Sequence, residues 1–392
     1  MMKSTERIWR RAAALQTRVC CALALALVAY FLASVARFYH PGTGFTGLIG
    51  FGGSHDPEYE VSAAATAPHL HGAGYDGQFY AQLALAPLLR DPTIDRALDA
   101  PPYRARRIFF SWTAYIAGLG RPPWILQAYA LQNVICWLLL AGLLLRWVPP
   151  DSPERLAVWG ACLFGQGMLA SVRLALTDGP SMLLLAGAAA AAEQGRFWTT
   201  SMILGVGGLG RETNLLGLTV LSWPRTVREA ARALAVIVVA VLPLLLWQDY
   251  LYSIYRSRAF VNQNQLALPL TAFVRKWDVV VRGVLSGGIN SPHMLALLTT
   301  AGLTAQAAFL LSRAWSQRRS VWLRLSMPFV VLMFCISFEV WAGYPGAAAR
   351  VVLPMTVAFN ILLAQSRSRV FWLWYAAGNA ALVYAPVLLR PA

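Results

Sequence analysis

Charge is scarce in this chain, and acidic charge is scarcest. Only 13% of the 392 residues are Asp, Glu, Lys or Arg, and 17 acidic residues face 33 basic ones, a formal net charge of +16. Soluble domains carry about a quarter of their residues as charge. With 58% hydrophobic residues and a mean hydropathy of +0.53, an ordinary soluble domain is excluded and a polytopic, all-α membrane protein is indicated. Lysine is nearly missing, with Lys3 and Lys276 the only two. The positive charge is arginine scattered through short loops. That fits a bias toward cytoplasmic loops better than a polyanion partner, so nucleic acid is not expected. The five cysteines (Cys20, Cys21, Cys136, Cys162 and Cys335) all fall in apolar runs without CxxC spacing, which argues against disulfides and thiolate metal sites. No phosphate-binding glycine loop, GxSxG elbow, zinc-helix motif or dinucleotide fingerprint is present. ATP or a nucleotide sugar as direct substrate is therefore unsupported.

What is present is a series of apolar runs near the ~20 residues that cross a bilayer as a helix. A basic stretch (Lys3, Arg7, Arg10, Arg11, Arg18) precedes the first, which reads as an uncleaved signal anchor over 19–37 with its N-terminus in the cytoplasm. Further spans are expected at 123–147, 156–176, 180–194, 233–249, 292–312, 321–339, 347–365 and 370–389, nine in all. The run 108–120 is too short and reads as re-entrant or interfacial. At 198–222, Gly205, Gly207, Gly208 and Gly210 crowd the middle, and two half-helices meeting at that cluster satisfy the charge rule best. An amphipathic helix is expected over 272–285, resting on lipid headgroups. The whole chain, 1–392, reads as one transmembrane domain with no internal repeat.

Residues 38–107 stand apart as a long external loop. They hold seven of the 17 acidic residues: Asp56, Glu58, Glu60, Asp76, Asp91, Asp95 and Asp99. A loop of this length in a membrane protein is usually functional. Asp76 sits in Tyr75-Asp76-Gly77-Gln78-Phe79-Tyr80. Two readings stand: Asp76 caps a helix over 78–89, or it is a general base where the loop meets the membrane. Tyr75, Phe79 and Tyr80 suit an interface or a sugar-stacking wall. In Tyr103-Arg104-Ala105-Arg106-Arg107, the arginines could hold a lipid phosphate or anchor a helix to headgroups. Arg104 and Arg107, three apart on one helix face, are the site candidates, and Arg106 reads as an anchor. Arg173, Arg211, Glu212 and Glu339 fall within apolar runs, with Asp178 and Arg350 near span ends. Such charges pair with one another, line a cavity or serve a pathway. His69 and His71 could bind a metal or substrate, but no third ligand stands at good spacing.

Taken in order, these elements resemble the GT-C superfamily of integral-membrane glycosyltransferases. Gly74-Tyr75-Asp76-Gly77-Gln78-Phe79-Tyr80 is similar to the YDGQ(F/W)Y element of bacterial relatives and of mannosyltransferases that use dolichyl-phosphate mannose. Tyr103-Arg104-Ala105-Arg106-Arg107 looks like the YR-x-x-R element that follows it. Asp178, Gly210-Arg211-Glu212-Thr213 and Arg350-Val351-Val352-Leu353-Pro354 also resemble elements of that group. The resemblance implies a GT-C-like helical bundle whose long first external loop carries short interfacial helices, in the inner membrane of a bacterium. It implies a polyprenyl-phosphate sugar as donor and transfer to an acceptor hydroxyl on the external face with inversion. Asp76 would take the acceptor proton. Tyr75, Gln78, Tyr80, Arg104, Arg107, Asp178, Arg211, Glu212 and Arg350 would bind substrate or its phosphate. Many members carry paired acids in this loop, whereas Asp76 stands next to Gly77, so the spacing does not support a divalent metal. A polar-lipid transporter or flippase, with Arg173, Glu212 and Glu339 along its path, and a non-catalytic protein of the same fold are the alternatives.

Overall fold

The computed structural model describes residues 2–52, 69–70, 74–91, 93–221, 224–256, 265–287, 291–343, 346–366 and 368–390. Among the described residues the fold is all-helical apart from a two-residue parallel pair, Phe51–Gly52 with His69–Leu70. Helix α1 (Met2–Ala36) is continuous through the basic N-terminal stretch, and its apolar part runs from Ala13 to Ala36. The first loop then folds as short helices: α2 (Gly77–Leu85), α3 (Ile94–Ala97), α4 (Pro101–Ala105) and α5 (Phe109–Ala117). Each is too short to cross a bilayer. Helix α6 (Pro122–Leu144) is opened by two prolines at its first positions, where the missing N–H groups cost nothing.

Beyond α6 the expected spans fragment. The run 156–176 is two helices, α7 (Pro153–Phe164) and α8 (Gln166–Arg173), separated at Gly165, whose ψ of 147° is extended. Helix α9 (Asp178–Glu193) follows. Helix α10 (Phe197–Gly210) runs straight through the glycine cluster and breaks after it, at Arg211, not within it. The chain then doubles back as a 3-10 helix, Glu212–Val220, with Asn214 Nδ2 donating to the Gly207 carbonyl at 3.2 Å. The glycines thus give the returning segment a close bed. Helices α11 (Val227–Tyr255), α12 (Thr271–Gly287) and α13 (Ser291–Arg313) come next. The run 321–339 ends early: α14 (Val321–Cys335) stops and α15 (Phe338–Ala342) is separate. The run 347–365 divides into α16 (Ala347–Val351) and α17 (Leu353–Gln365), and the last span bends by 55° between α18 (Phe371–Gly378) and the segment Ala380–Leu388. Among the described residues, four helices are long and apolar enough to cross a membrane, or five if the bent pair is one span. Of the nine runs expected from hydropathy, four form a single helix of spanning length, and 156–176, 321–339 and 347–365 are each divided. Apolar composition alone does not reveal where a helix breaks: the first of these runs is divided at Gly165, the second at Ile336-Ser337 and the third at Val352.

The bundle has two unlike ends. At one end α11 reaches the loop helices, with Trp247 Nε1 donating to the Ala105 carbonyl at 2.8 Å and the Tyr250 hydroxyl to the Leu88 carbonyl at 2.8 Å. The same end holds the start of α9, the Arg211 break and the C-terminus of α14. At the other end Arg146 pairs with Glu193 at 3.2 Å, Arg155 with Asp151 at 2.6 Å, and Arg324 donates to the Val220 carbonyl at 2.7 Å. A core of buried aromatics and aliphatics ties these elements together, including Phe31 of α1 stacked on Trp137 of α6 at 3.8 Å between ring centroids.

Candidate active site

Polar residues of α6 build the floor. The turn between α8 and α9 is pinned by α6: the Tyr129 hydroxyl donates to the Ala175 carbonyl at 2.9 Å and Asn133 Nδ2 to the Leu176 carbonyl at 2.9 Å. Ser171 Oγ accepts from the Gly179 amide at 2.8 Å. These bonds fix the first residue of α9, Asp178, as a buried carboxylate. It forms ion pairs with Arg211, at the break after α10, and with Arg350 of α16 at 3.3 Å. Arg350 is delivered by Gly346, whose φ of +94° lies where residues with a side chain are strained. Its guanidinium also donates to the Tyr75 hydroxyl at 2.5 Å.

The opposite wall comes from the first loop. Gly77 opens α2 against the carbonyl oxygens of Leu174 and Ile49, which a Cβ at this position would strike. That close approach places Asp76 beside the α8–α9 turn. Asp76 makes no capping bond to α2, which runs only to Leu85. The capping reading is therefore excluded. Its carboxylate instead accepts from Arg104 at 2.9 Å, and Arg104 is bidentate on Asp99 at 2.8 and 2.7 Å. Burial works against the charged form of Asp76, but the guanidiniums of Arg104 and Arg350 outweigh it and hold the carboxyl below its ordinary value of 3.8. Burial pushes the Tyr75 phenol up to about 12, against the pull of Arg350. The third wall is Glu212, which opens the 3-10 helix and accepts from Arg106 at 2.8 Å and from Arg107 at 2.7 and 2.9 Å. Arg107 also donates to the Tyr80 hydroxyl at 3.2 Å.

These groups surround one cavity of about 480 Å³. Tyr75, Asp76, Tyr80, Arg107, Asp178, Arg211, Glu212 and Arg350, all sequence candidates, line it. Two candidates do not. Arg104 stands behind Asp76, and Gln78 is buried with its side-chain oxygen accepting from the Gly52 amide at 3.1 Å, so it braces the loop. Arg106, read from sequence as a headgroup anchor, lines the cavity and is buried at 2% exposure, with its guanidinium 4.1 Å over the Tyr103 ring. Tyr103 and Gln265 also line it, hydrogen-bonded to each other, and Glu339 of α15 stands there too. Gln265 had no local sequence signal. The segment carrying it crosses to α14 and α15 through backbone bonds, Ala267 to Cys335 and Ser337 to Gln265 at 2.8 and 2.9 Å. Arg173 lies elsewhere, over the Phe38 ring at 4.7 Å. Leu176, Leu216, Leu332, Ile336 and Val340 form an apolar side to the same cavity.

The side chains of His69 and His71, and Asp56, Glu58 and Glu60, lie outside the described residues. Among the described residues no group of three His, Cys, Asp or Glu is placed to hold a metal. No family model, curated protein or solved structure matches this chain.

Proposed function

We propose that this protein is an inverting membrane glycosyltransferase of the GT-C type, moving a sugar from a polyprenyl-phosphate donor to an acceptor hydroxyl. The observation that carries this reading is the convergence of Asp76 and four guanidiniums on one cavity that is apolar on its other side. A phosphate on a lipid tail is already a competent leaving group, so the chemistry needs no nucleotide pocket. It needs positioning, a base, and positive charge beside the departing phosphate. In the proposed step the Asp76 carboxylate takes the proton of the acceptor hydroxyl as its oxygen bonds to the anomeric carbon. The bond from that carbon to the phosphate oxygen breaks from the opposite face. The polyprenyl phosphate leaves with the bonding electron pair against the cavity arginines, while the lipid tail lies along the leucine-rich side. Arginines gather at the end of the bundle away from the cavity, among them Arg146, Arg155, Arg318, Arg319 and Arg324, which supports placing that end in the cytoplasm and the cavity outside.

Asp76→Asn tests the base. Arg104 keeps its two bonds to Asp99 when Asp76 loses its charge, so the variant is expected to insert and fold. Transfer is expected to fall by about 10²–10⁴-fold, the usual contribution of a general base. Transfer at the wild-type rate by a folded Asn variant removes Asp76 from this role.

A further inference from the structure

We infer that the cavity takes two phosphate groups at once, each on its own pair of arginines. This rests on the reading of the cavity as a lipid-phosphate site and extends it to the second substrate. The cavity arginines divide into two units. In one, Arg106 and Arg107 share Glu212 at 2.8 and 2.7 Å. In the other, Arg211 and Arg350 share Asp178. Each unit sets two guanidiniums against one carboxylate and keeps one net positive charge, the charge that a single phosphodiester neutralises. Asp76 draws mainly on neither unit, since its carboxylate is bonded to Arg104, which lies outside the cavity lining.

Donor supply points the same way. A guanidinium offers five N–H groups in a fixed fork, and Asp178 cannot absorb those of both Arg211 and Arg350. Arg211 and Arg350 are each 8% exposed, and the Nε of both is buried without a hydrogen-bond partner among the described residues. A buried charged donor left unmet is costly, and the oxygens of an anion would meet it. The two units are contiguous, because Arg211 of one precedes Glu212 of the other in the chain. A donor with one phosphate occupies one seat. The second seat therefore fits a phosphate on the acceptor lipid, or the second phosphate of a diphosphate donor. The group transfer is unchanged by it, since that phosphate is not among the reacting atoms.

The test uses the full chain in nanodiscs of phosphatidylcholine, titrated with a short-chain polyprenyl monophosphate and with the matching diphosphate. Stoichiometry is read by native mass spectrometry and affinity by calorimetry. Two monophosphates per chain are expected, and one diphosphate bound at least tenfold more tightly than the first monophosphate. One monophosphate per chain, with the diphosphate no tighter, overturns the inference, and this needs no variant. Arg107→Lys and Arg211→Lys keep the charge but lose the planar fork. Each is expected to weaken one of the two bound monophosphates and leave the other, and equal weakening of both by either variant overturns the assignment of separate seats. A transfer assay then separates the sources. A KM that rises in Arg211→Lys or Arg107→Lys only for a phosphate-bearing acceptor assigns the second phosphate to the acceptor, and turnover confined to diphosphate donors assigns it to the donor. Two bound phosphates with no sugar transfer from any lipid-phosphate donor overturn the transferase reading and leave this one standing. Transfer with a single bound phosphate does the reverse.

Discussion

At the scale of single residues, Asp76 is a carboxylate held by arginine. Its pairing with Arg104 lowers its folded pKa below 3.8. The pairing therefore contributes stability above the unfolded carboxylate value and loses it as pH falls through the depressed folded value. In the proposed role of base, Asp76 stays ionised across the neutral range. The acid limb of kcat/KM, which reports the free enzyme, is expected below pH 3.8, and a limb near pH 6 in a pH–rate profile would assign the base elsewhere. A bound phosphate adds negative charge beside Arg350 and raises the Asp76 pKa. The acid limb of kcat is accordingly expected at higher pH than that of kcat/KM. Arg211 and Glu212 were legible in the sequence because a charge in an apolar run demands a partner, Asp178 and Arg350 because they are charges at span ends, and Asp76 and Arg107 because of the loop motifs that carry them. Arg106 was not, because a guanidinium before an apolar helix looks the same whether it meets headgroups or Glu212, more than a hundred positions away.

Elements set how accurately those residues meet. Helix α2 carries Asp76 and Tyr80, and it packs through Gly77 against the Leu174 and Ile49 carbonyls. Gly77→Ala inserts a methyl where backbone stands. The expected cost is about 1–3 kcal/mol, read as a lower thermal midpoint in detergent, with kcat reduced because Asp76 is displaced; an unchanged midpoint and kcat would show that α2 is not seated by this contact. The breaks at Arg211 and Val352 have the same consequence on the opposite wall. Each ends a helix near the cavity and turns a charged or polar side chain inward. Hydropathy sees only that these runs are apolar. The chain breaks where irregular backbone can be met by neighbouring polar groups, as Tyr129 and Asn133 meet the α8–α9 turn.

For the molecule as a whole, the two ends of the bundle lie on opposite sides of a membrane in the proposed orientation. Arg90 is exposed on the loop, and Arg318 is exposed beyond the N-terminus of α14. The 15 residues of α14 separate Arg318 from the cavity by about 22 Å at 1.5 Å per residue. In a background with the five native cysteines replaced, Arg90→Cys in intact cells is expected to react with a membrane-impermeant maleimide. Arg318→Cys is expected to react only after permeabilisation. The opposite pattern inverts the orientation.

The amino-acid sequence by itself determined that the chain enters a membrane, where its acids are concentrated, and which charged residues sit among apolar neighbours. Composition suffices for this, because the cost of placing charge in hydrocarbon does not depend on the fold. Only the tertiary structure decided which charges pair, that Arg104 stands behind Asp76 while Arg106 lines the cavity, and where apolar runs break. Those outcomes depend on close approach between segments far apart in the chain, and hydropathy carries no information about which segments will touch.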